Sequence, residues 1–138
     1  MSRVTVDFSN SDRFLRNMRD AAHDGLAVAA EGLRGKLKRN MGSEGGTRTG
    51  NKRYESSPPG SFPGVRTNRL RGSIARTNPR RLSVLVGTNV KYGLFLEKGT
   101  ARMAPRPWLL RTMIAEKATI NRTFSRAAAR SAARRVIR

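Results

Sequence analysis

Cysteine is absent from this 138-residue sequence, which excludes disulfide bonds and any metal site built on thiolates. No apolar run approaches the ~20 residues needed to cross a bilayer. The N-terminal residues MSRVTVDFSNSDRF also lack the continuous apolar segment of a signal peptide. We therefore expect a soluble protein that is made in a cytoplasm.

Histidine and acidic residues, which carry most acid–base catalysis, are also scarce. Nucleophilic catalysis needs a Ser, Cys or Thr beside a base that a third group orients, but the one histidine, His23, has no nucleophile signature near it. The segment GSEGGTRTGNK fails as a phosphate-binding loop, because its lysine does not follow a glycine and no Ser or Thr comes next. From residue 41 onward the acidic residues are few: Glu44, Glu55, Glu97 and Glu116. We expect no enzymatic activity, no cofactor and no metal ion.

Basic residues, in contrast, are abundant. The chain has 29 Lys plus Arg and 9 Asp plus Glu, which gives a formal net charge of +20. The excess is greatest in residues 81–138, which contain 13 basic and 2 acidic residues. Such a charge favours an acidic protein or a nucleic acid as partner, and it does not by itself choose between them.

The length predicts a single domain over residues 1–138. The first 40 residues predict a strand followed by a long helix. Residues 4–8 alternate apolar and polar side chains, as in a strand with one buried face. Residues 12–40 carry apolar side chains at steps of three and four, which is typical of a helix. Glycines within this helix either permit close packing, mark a bend or are simply tolerated. The predicted apolar seam is Leu15, Met18, Ala22, Leu26, Ala29, Leu33 and Leu37.

The periodicity disappears in residues 42–68, where six glycines and three prolines occur among 27 residues. A loop of this length is commonly functional, or disordered until a partner binds it. We expect a mobile loop or arm, serving either in assembly or as a plain insertion.

Beyond it, residues 70–77 and 82–88 flank an Asn-Pro turn and predict a β-hairpin, with Leu82, Val84 and Val86 on one face. Residues 92–98 then predict a short helix that ends at Gly99.

A second long helix is predicted from Pro107 to about residue 136. It has an apolar face and, beside it, a basic stripe at steps of four. The stripe is either a solvated face or a surface for an acidic partner or for nucleic-acid phosphate, and no aromatic residues interleave with it to stack on bases. The apolar face comprises Leu109, Met113, Ile120, Phe124 and Ala127; the stripe comprises Arg122, Arg126, Arg130 and Arg134.

Two segments resemble the tail-completion or head-tail joining proteins of long-tailed bacteriophages, which are related to the minor tail protein Z group. The first, PPGSFPGVRTNRLRGSI, is similar to the Pro-Gly-rich stretch that leads into the hairpin in that family. The second, GTNVKYGLFLEKGTARMAPRPWLL, is similar to its Glu-x-Gly-Thr and Met-x-x-Arg-Pro-aromatic-Leu pattern. The residues that carry the resemblance are Thr67, Leu70, Tyr92, Leu96, Glu97, Gly99, Thr100, Met103, Arg106, Pro107, Trp108 and Leu109.

The resemblance implies an α+β fold: a small antiparallel sheet, a long N-terminal helix, a long C-terminal helix and a long Gly/Pro-rich loop. It implies a structural virion protein, made in the host cytoplasm, that forms a ring of six copies at the head-proximal end of the tail. The implied partners are further copies of the chain, a tail-tube or terminator protein and neck or connector proteins. The resemblance also allows a transient contact with phage DNA, and it implies no membrane partner. The matched residues would be architectural, with Trp108 and Leu109 anchoring the last helix and Glu97 pairing with an arginine such as Arg106.

Two other interpretations stay open. A small basic nucleic-acid-binding protein would explain the charge, although no zinc-finger, RNP-type or helix-turn-helix signature is present. A terminator or neck protein at another level of the same tube would share the ring architecture, and only its position in the particle would distinguish it.

Overall fold

The computed structural model describes residues 11–46, 55–80 and 82–136. Four helices and two strands make up this part of the chain, which confirms the predicted α+β fold. None of the described helices has the length and apolar character needed to span a membrane. The strand predicted over residues 4–8 lies outside the described residues. In chain order the elements are α1 (Ser11–Asn40), α2 (Arg69–Ser73), β1 (Ala75–Arg76), β2 (Val86–Gly87), α3 (Lys91–Lys98) and α4 (Leu109–Val136).

The two long helices, α1 and α4, pack side by side and run antiparallel. Near the end of α1, Asn40 Nδ2 donates a hydrogen bond to Thr112 Oγ1 at 3.0 Å, close to the start of α4. At the end of the first third of α1, the Asp20 carboxylate pairs with Arg135 at 3.2 Å. At about 1.5 Å per residue, the 30-residue α1 is about 45 Å long.

A glycine allows the two helices to approach closely at mid-length. A β-carbon at Gly25 would lie 2.9 Å from the carbonyl oxygen of Phe124 and 3.0 Å from the β-carbon of Ala128. Gly32 is different, because a β-carbon there would meet nothing within 4 Å. Close packing therefore explains Gly25, whereas Gly32 is tolerated at an exposed position.

These two glycines give a matched pair of substitutions. We expect Gly32→Ala to raise the free energy of unfolding by about 0.5–1 kcal/mol, because alanine is the better helix former. Gly25→Ala should instead lower it by about 1–3 kcal/mol, since the added carbon overlaps a backbone oxygen that has little room to move. Urea unfolding followed by circular dichroism would measure both, and the same sign at the two positions would contradict the close approach at Gly25.

The predicted apolar seam of α1 is buried only in its later part. Ala29, Leu33 and Leu37 are buried, whereas Leu15 is 60% exposed. The reason is the register of the helix pair: Arg135, near the described end of α4, already lies opposite Asp20, so the first turns of α1 extend beyond it. On α4 the predicted face is likewise incomplete, because Ile120 packs against the core but Met113 is 44% exposed.

The hydrophobic core lies around the last turns of α1. Leu37 and Ile74 are its most deeply buried side chains, each 1% exposed. Partly buried side chains from the hairpin, α3 and α4, such as Val86, Leu96 and Leu109, pack around it. The buried cluster consists of Leu33, Leu37, Met41, Leu70, Ile74 and Trp108.

The predicted hairpin forms, but in a shorter version. β1 pairs antiparallel with β2, with Ala75 opposite Gly87. The run predicted as the first strand begins instead as helix α2, because Leu70 and Ile74 reach the core at a spacing of four residues, which fits a helical turn. The prediction that Leu82 shares a face with Val84 and Val86 is wrong: Leu82 has a φ of 57° and is 53% exposed.

The described parts of segment 42–68 pack against the core. The Gly42 N–H donates a hydrogen bond to the carbonyl oxygen of Pro63 at 2.9 Å. Phe62 and Val65 contact the buried cluster, and Ser57 is buried. These contacts hold both ends of the segment, while residues 47–54 lie outside the described residues. The mobility of the segment as a whole stays a prediction.

Candidate assembly surfaces

A glutamate joins α3 to the start of α4. Glu97 Oε2 accepts hydrogen bonds from the backbone N–H groups of Trp108 and Leu109, at 2.8 and 2.9 Å. Its other oxygen, Oε1, accepts one from the N–H of Leu110 at 2.9 Å. The first N–H groups of a helix have no partner within the helix, and the helix dipole is positive at that end. Glu97 therefore caps α4 with a full negative charge.

The expected pairing of Glu97 with Arg106 is wrong. Arg106 Nε donates instead to the carbonyl oxygen of Ser57 at 2.8 Å, which ties the 98–108 connection to segment 55–68. The Arg106 backbone N–H donates to the Leu96 carbonyl oxygen at 2.7 Å. The opposite charges of Glu97 and Arg106 suggested the pair, but a helix that begins just after Pro107 needs an acceptor for its free N–H groups.

Trp108 fixes the same junction from inside the protein. It is 3% exposed, and its indole Nε1 donates a hydrogen bond to the carbonyl oxygen of Gly93 on α3 at 3.0 Å. Thr112, one turn later, is fully buried and donates from Oγ1 to the Trp108 carbonyl oxygen at 2.7 Å. Because a β-carbon at Gly93 would lie 3.0 Å from Leu70 Cδ1, α3 packs directly on the core beside the indole.

A tight turn leads from α3 toward α4. Gly99 ends α3 with a φ of 75°, a left-handed conformation that side chains rarely adopt, and a β-carbon there would lie 2.8 Å from the Met103 carbonyl oxygen. The Thr100 N–H donates to that same oxygen at 2.8 Å. Glycine is therefore required at this position.

The two segments that carry the family resemblance meet in one cleft of about 460 Å³ between α2, α3 and segment 55–68. Ser57 Oγ, buried at its wall, has no hydrogen-bond partner among the described residues. The other matched residues form the junction and turn described above. Those that line the cleft are Thr67, Leu70, Tyr92, Leu96, Met103 and Arg106.

Two sets of large apolar side chains are exposed on the helices, at opposite ends of α1. The first, which we call the α3–α4 surface, combines exposed side chains of the two helices that Glu97 joins. The second, the α1 tip, is Phe14 and Leu15, which are 57% and 60% exposed. The sequence pattern placed Leu15 and Met113 on apolar helix faces and did not single out Leu110 or Ile114, although 110, 113 and 114 follow helical spacing outside the core face. The α3–α4 surface comprises Leu94, Phe95, Leu110, Met113 and Ile114, each between 44% and 68% exposed.

The predicted basic stripe is present on α4. Arg122, Arg126, Arg130 and Arg134 are all exposed, and within the described part of the chain none of them forms an ion pair. Their neighbour Arg135 is different, because it turns toward α1 and pairs with both Asp20 and Asp24. The Asp24 carboxylate also accepts a hydrogen bond from the Ser131 hydroxyl, and this bond together with Arg135 lowers the pKa of Asp24.

An ion pair between Glu44 and Arg111 joins residues 42–46 to α4, and Glu44 also binds the backbone of segment 55–68. The shortest separation is 2.7 Å, Glu44 Oε2 also accepts the Phe62 N–H at 2.8 Å, and the Arg111 guanidinium lies 4.3 Å from the centre of the Phe62 ring. The hydrogen bond from Arg111, followed by that from Phe62, holds the pKa of Glu44 below its ordinary value of 4.5. The charged carboxylate is thus the form that the folded state favours.

This shift predicts a specific pH dependence. A carboxyl group with a lowered folded-state pKa contributes stability above its ordinary pKa, and that contribution is lost as the pH falls through the folded value. Glu44→Gln should therefore be less stable than the natural chain at pH 7, and the difference should shrink below about pH 4.5. Urea unfolding between pH 3 and 7, with Glu55→Gln at an exposed position as control, measures this. A difference that stays constant with pH would contradict it.

Together these features define a small α+β protein in which two long antiparallel helices extend from a core beside a two-stranded sheet. No protein-family model, curated protein or solved structure matches the chain.

Proposed function

We propose that this protein is a structural subunit that forms a ring at the head-proximal end of a bacteriophage tail and joins the tail tube to the neck. The observation that carries the proposal is the presence of two different apolar surfaces on one small, strongly basic chain: the α3–α4 surface and the α1 tip. Exposed apolar patches of this kind are typical of protein–protein contacts. The sequence resemblance described above supports the particular place in the virion.

The separation of the two surfaces suits a ring. Asn40 lies beside the start of α4, and Leu15 lies 25 residues earlier on the same helix, about 38 Å away at ~1.5 Å per residue. A closed ring of identical subunits uses heterologous contacts, in which one surface of a copy binds a different surface of the next. The α3–α4 surface of one copy would bind the α1 tip of its neighbour.

Charge sets the conditions under which the ring forms. Each copy carries a net charge of +20, so copies repel one another at low ionic strength. Salt shortens the screening length from about 30 Å at 0.01 M to about 8 Å at 0.15 M. We therefore expect self-association to become stronger as salt is raised, as an apolar contact between like-charged partners requires.

Substitutions on the α3–α4 surface test this proposal in solution. The double variant Phe95→Ser, Ile114→Ser should stay monomeric under conditions in which the natural chain forms rings, because it loses two apolar side chains that are 51% and 68% exposed. Val28→Ser, at a 50% exposed position on α1 outside both surfaces, is the matched control and should assemble normally. Mass photometry across a salt series gives the readout. Equal assembly of the double variant would exclude this surface from the contact.

The place in the virion needs a separate experiment. Cryo-electron microscopy of particles made with and without the gene should show a ring of this subunit between portal and tail tube, and unjoined heads and tails in its absence. Its position relative to the tube end would also distinguish a tail-completion ring from a terminator or neck ring. An intact joint in both particles would overturn the proposal.

A further inference from the structure

The basic stripe of α4 fits a partner with evenly spaced negative charge. Its four arginines, Arg122, Arg126, Arg130 and Arg134, recur once per helical turn over about 18 Å, and no acidic residue follows Glu116 along α4. Like charges four residues apart destabilise a helix, so the arrangement is unfavourable until something neutralises it. We propose that this face of α4 binds the phosphate backbone of double-stranded DNA without regard to base sequence.

The side chains between the arginines favour DNA over an acidic protein. The exposed positions one turn along from the arginines hold only small residues, Ser125, Ala129 and Ala133. The residues that dominate protein interfaces are Trp, Tyr and Arg packed together at a desolvated centre, and beside its arginines this face has no exposed aromatic or large apolar side chain to form such a centre. A face of arginines and small residues instead lets a guanidinium approach each phosphate and donate two hydrogen bonds to it.

The same composition favours a duplex over a single strand. Binding of single strands relies on aromatic side chains that stack on the bases, and the exposed positions between Arg122 and Arg134 hold no aromatic residue. On its other side the helix packs against α1, where Gly25 lies against the backbone of Phe124 and Arg135 pairs with Asp20 and Asp24. The stripe is therefore presented on an ordered helix.

Salt dependence of binding measures the number of phosphates that the stripe neutralises. The full chain would be titrated onto a fluorescent 30-base-pair duplex between 50 and 200 mM NaCl. Each neutralised phosphate contributes about −0.9 to the slope of log K against log salt, so four contribute about −3.6, a weakening of about 150-fold over this range. A quadruple variant should remove this contribution of about −3.6 from the slope. It carries Arg122→Gln, Arg126→Gln, Arg130→Gln and Arg134→Gln.

A variant with the same loss of charge elsewhere separates a local site from net charge. It replaces four exposed basic residues outside α4 by glutamine, and we expect its slope to change by less than about 1. Equal losses in both variants would mean that net charge alone binds DNA and would overturn the proposal. The double variant Arg126→Gln, Arg130→Gln should show about half of the change in slope seen with the quadruple variant. This keeps the test valid if the quadruple variant unfolds. The control positions are Arg71, Lys91, Lys98 and Arg102.

Polyglutamate distinguishes the acidic-protein alternative. If a polyglutamate of matched charge binds the natural chain as tightly as the duplex and depends equally on the stripe, the surface serves an acidic protein and the proposal fails. Failure here leaves the proposed ring untouched, since the two use different surfaces and opposite salt dependences: DNA binding weakens with salt, whereas apolar self-association strengthens.

Discussion

Replacing Glu97 by alanine is expected to lower the free energy of unfolding by about 2–4 kcal/mol, a large effect for a side chain that is only partly buried. The carboxylate accepts three backbone hydrogen bonds, from Trp108, Leu109 and Leu110, and faces the positive end of the α4 dipole. Its loss leaves three N–H groups to be satisfied by water or not at all. Guanidinium unfolding at pH 7 is the measurement.

Two further variants show whether charge or hydrogen bonding dominates at this cap. Glu97→Gln keeps one carbonyl acceptor and removes the charge, so we expect about half the loss seen with alanine. Glu55→Ala, an exposed glutamate, should change stability by less than about 0.5 kcal/mol. A loss at Glu97→Ala no greater than this control would show that the junction does not depend on the cap.

Trp108→Ala is expected to cost about 3–5 kcal/mol, the usual range for removing a large buried aromatic side chain. The indole is 3% exposed and belongs to the cluster that joins α1, α2 and α4. Its removal leaves a cavity at the point where α4 begins. Unfolding followed by circular dichroism is required, since this is the only tryptophan and its fluorescence disappears with it.

Trp108→Phe keeps an aromatic ring in the core but removes the indole N–H and part of the packed ring system. It leaves the carbonyl oxygen of Gly93 without its donor, and we expect a cost of about 1–3 kcal/mol. Leu85→Ala, at a 72% exposed position, serves as the control and should be near neutral. If phenylalanine proves as stable as tryptophan, the hydrogen bond to Gly93 contributes nothing measurable.

Regular periodicity made the helices predictable from the sequence. The bounds predicted for α1, α3 and α4 differ from those observed by one or two residues, because apolar spacing, Gly99 and Pro107 are local signals. The first run of the hairpin was less predictable. Leu70 and Ile74 fit either a short strand or a helical turn, and only packing against α1 decides between them.

The surfaces were harder to predict than the elements. Whether Leu15 or Met113 is buried depends on where α4 lies along α1, and that register comes from pairs distant in sequence, such as Asp20 with Arg135. The stripe of arginines could be read directly, since a spacing of four residues needs only the helix itself. The cap by Glu97 required knowing both that α4 begins just after Trp108 and that α3 ends beside it.

The antiparallel pairing of α1 with α4 also bears on how the chain reaches its native state. The hydrogen bond between Asn40 and Thr112 joins residues 72 apart, and that between Asp20 and Arg135 joins residues 115 apart. During synthesis the apolar side of α1 therefore stays exposed until nearly all of the described chain has been made. Contacts between residues so far apart in sequence slow folding and prolong the exposure of hydrophobic surface. For a basic nascent chain in a crowded, nucleic-acid-rich cell, this interval is when aggregation or capture by chaperones is most expected.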